Sequence, residues 1–322
     1  MSSIFCTPLE DLAVLELKGG DPAKLLQGQI TADLRLLTAT QALPGLLCNL
    51  KGRILSSFEI IMLGEDHLAL VLPADTLAQV QAHLKKFEPF FKTQIQEVTA
   101  DYQLLGLSGK ETPALVLSLL GAWPQTDYQQ AITDSGLILH LPGPGARALL
   151  LLRRDAPDLQ ASLDKIERLA VTTGTEAWRL LDIQVGRAQV NAELSDRFLP
   201  QMLNFQALGA VSFKKGCYIG QEIVARAQFR GQVKKRLHRL HLKTDHLQKP
   251  ASLYDAEGQP QGEILQLAPD GCGELEALAV INQKALETEQ RFYADADQQI
   301  KASLLNLPYD VTARVALHGA EA

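Results

Sequence analysis

The sequence predicts an α+β protein of two similar lobes followed by an all-β C-terminal region, and three observations carry that prediction. Runs with apolar residues at every second position alternate with runs whose apolar residues stand three and four apart, and this alternation occurs twice up to residue 185. From residue 233 only the period-two kind continues, punctuated by Gly258, Pro260, Gly271 and Gly273. A chain of 322 residues with 46% hydrophobic content also exceeds what one core supports, so two or three domains are expected.

In the first lobe, residues 12–18 form a β-type run closed by Gly19 and Gly20, and Asp21 and Pro22 supply the cap and first position of a helix. Gln27-Gly28-Gln29 interrupts that helix, either as a polar corner facing the interior or as an ordinary turn. Thr31 is expected to cap a second short helix carrying Leu34 and Leu37 inward. Residues 43–49, the Lys51-Gly52 turn, 53–63 and 67–72 make a three-stranded meander. A helix beginning at Asp75 turns Leu77, Val80, Leu84 and Phe87 to one side; His83 on it reads as a half-buried residue rather than a ligand, having no metal-type neighbour four residues on.

The second lobe repeats the scheme. Strands are expected over 94–98 and 102–107, a helix over 113–120, a hairpin from 137–140 and 147–152, and helices over 159–169 and 175–185, the last ending at Gly186. That final helix places Trp178, Leu181 and Val185 on one face; Trp178 is either a core anchor or a flat surface on which a ring could stack. Strands over 233–242, 263–267, 275–282 and 300–305 then predict an antiparallel barrel or small sandwich.

No apolar run reaches the roughly eighteen residues of a membrane span, and the first nine residues lack a cationic start followed by an apolar stretch. A soluble, cytoplasmic protein with no membrane partner is expected. Cys6, Cys48, Cys217 and Cys272 are widely spaced, which suggests neither a disulfide framework nor a local metal knuckle. The chemistry concentrates in Lys214, Lys215, Gly216, Cys217, Tyr218, Ile219, Gly220, Gln221, Glu222 and onward to Arg226. The glycines permit tight backbone turns around Cys217, and the two lysines would favour its thiolate, making it a candidate reactive or ligating thiol; a buried, inert cysteine is the alternative. Glu222 opens a short helix near its positive end. Eight Lys or Arg and one acid between residues 214 and 239 give a local charge of +7 in a chain of net −6. Such a patch meets an anion or is simply a solvated face.

Phe198-Leu199-Pro200-Gln201, residues 204–209 and the stretch 214–231 together resemble the YgfZ family, as do residues 20–33 and 49–53. YgfZ proteins are folate-binding relatives of the glycine-cleavage T-protein, an aminomethyltransferase, and are linked to iron-sulfur enzymes and tRNA modification. The resemblance implies two ferredoxin-like α/β lobes over 1–235 and a C-terminal antiparallel β-barrel over 236–322, arranged as a ring with tetrahydrofolate or a one-carbon derivative in its central opening. The family's folate-contacting tryptophan corresponds to Trp178, and a second one falls at Leu12, which covers an apolar ring without offering a π face.

The resemblance also implies a role for Cys217 at the rim, in support of iron-sulfur enzymes such as tRNA methylthiotransferases. The paired aspartates of T-proteins correspond to Ser56 and Ser57, whose hydroxyls lack a carboxylate's charge and basicity, which argues against aminomethyl transfer. A tetrahydrofolate-dependent one-carbon transferase is the alternative. Weak tRNA contact through Lys234, Lys235, Arg236 and Arg239 is a third, supported by charge but by few interleaved aromatics. Arg187-Ala188 stands where the family often has a proline after the glycine, leaving the local path open.

Overall fold

The computed structural model describes residues 4–248, 251–288 and 291–313. Its first sheet has five antiparallel strands in the order Leu43–Cys48, Ile54–Gly64, His67–Pro73, Leu12–Lys18, Gln94–Glu97. The period-two pattern divides its side chains between two cores. Leu15, Leu17, Leu68 and Leu70 face the helices Pro22–Gln27 and Leu77–Lys85, while Leu12, Val14, Ala69 and Val71 face the second sheet.

That second sheet has six strands, in the order Val171–Thr172, Phe5–Pro8, Tyr102–Ser108, Arg147–Arg153, Gly136–His140, Gln130–Thr133. Its Leu104, Leu137, Leu139, Leu149 and Leu151 meet the first sheet; Leu105, Leu107, Leu150 and Leu152 meet the helices Thr112–Leu120 and Leu159–Leu169. Lys235–Leu242, Leu275–Asn282, Pro260–Pro269, Ala251–Tyr254, Phe292–Tyr293 and Lys301–Leu305 close into a barrel around Leu240, Leu253, Ala279 and Phe292.

A further core joins the first sheet to the barrel through the connecting segment. Leu46, Cys48 and Ile54 of the first sheet pack with Val190, Phe198, Leu203 and Phe205 of the connecting segment and with Leu237, Leu265 and Leu278 of the barrel. The helix Thr175–Gln184 packs against the barrel strand Pro260–Pro269, and the Tyr309 hydroxyl donates to the Gly186 carbonyl at 2.6 Å. Gly186 sits at φ +67°, and a Cβ there would lie 2.4 Å from Leu307, so this crossing needs glycine for both backbone and space.

Two lobes and a barrel agree with the sequence reading, and the barrel replaces the sandwich alternative, but Gln94–Glu97, read as opening the second lobe, instead pairs with Leu12–Lys18 at the edge of the first sheet. The cap at the second short helix differs. Asp33, not Thr31, receives the N–H of Arg35 and starts a 3-10 turn over Leu34–Leu36; Thr31 is buried, its hydroxyl donating to the Ala210 carbonyl at 2.6 Å. A carboxylate two residues closer to the amides outcompetes a hydroxyl that has a buried carbonyl to satisfy. Strands Phe5–Pro8, Gln130–Thr133, Val171–Thr172, Ala251–Tyr254 and Phe292–Tyr293 are too short for their periodicity to register in the sequence.

Gly106, in the strand Tyr102–Ser108, lies so close to the Trp178 six-membered ring that a Cβ would stand 2.5 Å from it. Gly106→Ala is therefore expected to lower the unfolding free energy by about 1–3 kcal/mol through overpacking and to shift tryptophan emission. A urea titration superimposing on the wild type would show that the indole is not held there.

Candidate functional site

Where the two sheets and the connecting segment meet, a narrow cleft of about 40 Å³ is walled by Leu12, Ser57, Phe58, Glu59, Trp178 and Arg187, among others. It shares Pro73 and Gln189 with a wider cleft of about 370 Å³, which Asp11, Asp75, Arg179 and Glu193 line. The helix Thr175–Gln184 supplies one wall through Trp178, and Asp182, four residues on, shares its face behind that wall. The strand Ile54–Gly64 supplies the opposite wall through Ser57 and Glu59, which its alternation puts on one side.

The narrow cleft is built on a buried set of charges. Asp182 Oδ1 accepts from Arg147 Nη1 at 2.8 Å and from Arg187 Nε and Nη2 at 3.1 and 2.9 Å. Arg187 Nη1 also donates to Glu59 Oε1. Arg147 is 1% exposed, and its guanidinium carbon stands 3.9 Å over the Trp178 ring. Arg147 over the ring and Gly106 against its six-membered part together hold Trp178 where it lines the cleft.

Burial pushes the Asp182 carboxyl up, but the two guanidiniums outweigh it and hold it below the ordinary carboxylate range. Burial raises Glu59, which has one arginine instead of two. Glu59 Oε2 is buried without a hydrogen-bond partner. The cleft is thus lined by a glutamate with one unmet oxygen, an indole and apolar side chains, an arrangement suited to a flat ligand carrying N–H donors.

Ser56 and Ser57 have structural partners. The Ser56 hydroxyl is 2.8 Å from that of Thr76, and Ser57 Oγ accepts from the Val190 N–H at 2.9 Å. Of these two only Ser57 lines the cleft, where Glu59 is the single acid among the described residues. His83 is half-buried and 3.0 Å from Gln29 Oε1; Gln29 is itself buried, so the polar break after the first helix does face inward.

The cysteine loop lies elsewhere. None of the described residues lining either cleft comes from 212–230. Cys217 is exposed, at the head of the helix Gln221–Phe229, with Glu222 in its first turn. Gly220, at φ +81°, would place a Cβ 2.3 Å from the Asn49 carbonyl, so the loop presses on the 49–52 turn of the first lobe. Past the thiol, Glu222, Ala225, Arg226, Phe229 and Arg230 line an open groove of about 550 Å³.

Lys215 does not sit beside the thiol as an exposed cation. Its ammonium is turned inward, donating to the carbonyls of Ile30 at 2.8 Å and Ala32 at 2.6 Å, and 5.2 Å from the ring centre of buried Tyr218. Two backbone acceptors with no other donor nearby attract it more than an exposed sulfur does. Lys214 is exposed. The basic stretch is also partly consumed by structure: Arg236 Nη1 donates to the carbonyls of Gln201 and Val311, both at 3.1 Å, and Arg239 pairs with Glu276 at 2.7 Å. Only Lys234 and Lys235 of that quartet remain exposed.

Glu59, Arg147, Asp182 and Arg187 escape a sequence reading, being single charged residues in four separate elements. Two signals were present: an acid within an apolar strand, and an arginine between apolar residues where a strand should close on the core.

Burial lowers Lys215 from the usual lysine value to about 8. Between that value and about 10.5 the unfolded chain holds a proton that the folded chain has released, so this group makes stability rise with pH across the window. The neutral amine keeps two hydrogens for its two carbonyls. Denaturant titrations should show wild type gaining stability over Lys215→Met from pH 8 to 10; parallel curves would place the ammonium in solvent.

No family-wide sequence profile matches the chain. The tRNA-modifying protein YgfZ of Serratia proteamaculans is 32% identical over 309 residues, covering 94% of this chain and 92% of that protein. Its counterpart in Yersinia pseudotuberculosis is 35% identical over 230 residues, covering 71% and 68%. The solved structure of the glycine cleavage system aminomethyltransferase T from Bartonella henselae superimposes with a TM-score of 0.77 at 17% identity, covering 97% of this chain and 88% of that one. That likeness is one of fold. No helix among the described residues is long and apolar enough to cross a membrane.

Proposed function

Given that the chain belongs to the YgfZ family, we propose that it is a folate-binding accessory protein of tRNA modification, supporting iron-sulfur enzymes through Cys217. The observation carrying the folate part is the unpartnered Glu59 Oε2 in the narrow cleft. The 2-amino and ring N–H groups of a pterin are donors side by side, and a buried carboxylate oxygen is the acceptor such donors seek. The narrow cleft alone is small for a bicyclic ring, whereas the adjoining one lies in the range of about 300–1,000 Å³ usual for small-molecule sites.

The reading therefore puts the pterin edge at Glu59 and the remainder of the ligand in the wider part, where Arg179 is the cation available to a terminal carboxylate. Trp178 meets the ring and Leu12 covers it from the apolar side. Bound tetrahydrofolate would supply a carrier for a one-carbon unit. The protein's own part is to orient and shield: Arg187 holds Glu59, and Asp182 holds Arg187. A transferase of the aminomethyl type draws no support from positions 56 and 57, whose hydroxyls are engaged within the fold.

Cys217 stands apart from the clefts, so the two functions separate by mutation. Calorimetric titration with tetrahydrofolate should show Glu59→Gln binding about tenfold more weakly or worse, as expected when a charged acceptor is lost. Equal affinity would remove Glu59 from the site. Conversely, Cys217→Ala should leave that affinity unchanged while lowering the activity of tRNA methylthiotransferases in cells that depend on this chain; full client activity would detach the thiol from the role.

A further inference from the structure

Away from both clefts and the cysteine loop, the barrel brings together three side chains with metal-ligating atoms. His241 lies near the end of the strand Lys235–Leu242, and Asp270 and Glu274 flank the turn that joins Pro260–Pro269 to Leu275–Asn282. His241 Nε2 is 2.8 Å from Glu274 Oε2 and 3.8 Å from Asp270 Oδ2, and the three atoms lie within 4.8 Å of one another. Ligands placed tetrahedrally about 2.0–2.1 Å from a zinc ion are about 3.3 Å apart, and the two histidine separations bracket that spacing. We propose that His241, Asp270 and Glu274 form a surface site for a divalent transition-metal ion of the zinc class, with water completing its coordination.

Each side chain is suited to that use. Asp270 Oδ1 accepts the N–H groups of Cys272 and Glu274 at 2.7 and 3.0 Å, which holds the carboxyl below its usual range and leaves Oδ2 toward the imidazole. Gly271 and Gly273, at φ +82° and +95°, let the short turn bring both carboxylates to the side where His241 stands. The side chains of His241 and Glu274 are about a third exposed, at 32% and 34%, so an ion reaches them from solvent without the barrel opening.

One imidazole nitrogen with two carboxylate oxygens favours zinc, iron(II) or cobalt(II) over calcium or magnesium, which prefer all-oxygen shells. Cys272, in the same turn, lies outside the three-atom group, so the site is not of the thiolate type. The competing use of these residues is a plain ion pair between a protonated His241 and Glu274. A metal ion would take the imidazole nitrogen's lone pair instead, so the ion and the ion pair exclude one another.

The test is equilibrium dialysis and calorimetry of chelator-treated full-length protein with zinc chloride, repeated with cobalt chloride read by visible absorption. Wild type should bind one zinc ion per chain at these ligands and give the strong d–d bands of low-coordinate cobalt. His241→Ala and Asp270→Asn should each weaken zinc at least about tenfold; the asparagine retains a side-chain oxygen for the turn amides, and a preserved melting temperature without metal shows that the barrel is intact. Cys217→Ser should bind as wild type does. Zinc uptake that survives both site variants, that disappears with Cys217, or that is absent from the wild type would overturn the proposal.

Discussion

Asp182 accepting from two arginines at once is the constraint on which the centre of the molecule depends. A carboxylate taken out of water costs several kcal/mol unless its lone pairs are met, and here Arg147 and Arg187 meet them from two directions. Arg147 comes from the second sheet, Arg187 from the connecting segment and Glu59 from the first sheet, so satisfying these charges fixes the relative placement of all three. Trp178 is then positioned by Arg147 over its ring and by Gly106 packed against its six-membered part. Two atoms of the group, Glu59 Oε2 and Arg147 Nε, are left buried without a partner, and Glu59 is the one of these two residues that lines the cleft.

The cysteine loop is held by different means. Lys215 and Tyr218 point inward as anchors while Cys217 between them points out. Gly220 touches the turn after Asn49 through a contact that no side chain would permit. The thiol is thus displayed from a short, well-fastened segment, outside the apolar clefts, where it is open to a partner's surface.

Much of the architecture was legible in the sequence because it is written in periodicity. The meander of 43–72, the helix at 159–169 and the strand at 275–282 all follow from apolar spacing alone. What escaped has two physical causes. Strands of two to four residues, such as Val171–Thr172 and Phe5–Pro8, pair through backbone groups whose partners lie far off in the chain. The charged group of the cleft likewise depends on residues 59, 147, 182 and 187 meeting in space, so the local signals at Glu59 and Arg147 do not say what those charges meet. Lys215 shows the converse: its place beside Cys217 in the sequence suggested a shared chemistry, yet neighbours in a turn commonly point opposite ways.

The strand Phe5–Pro8 does not belong to the lobe that follows it. It pairs antiparallel with Tyr102–Ser108 and parallel with Val171–Thr172, and Thr7 and Thr173 join hydroxyls at 2.8 Å across 166 positions. The first sheet, built from residues 12–97, has all its strands once that length has emerged from the ribosome, whereas the second must wait for residue 172. Until then the opening segment has no finished docking place, and the exposed border of Tyr102–Ser108 is a surface on which another nascent chain could pair. Division of the gene near residue 100 would accordingly yield two pieces, neither of which contains a whole second sheet.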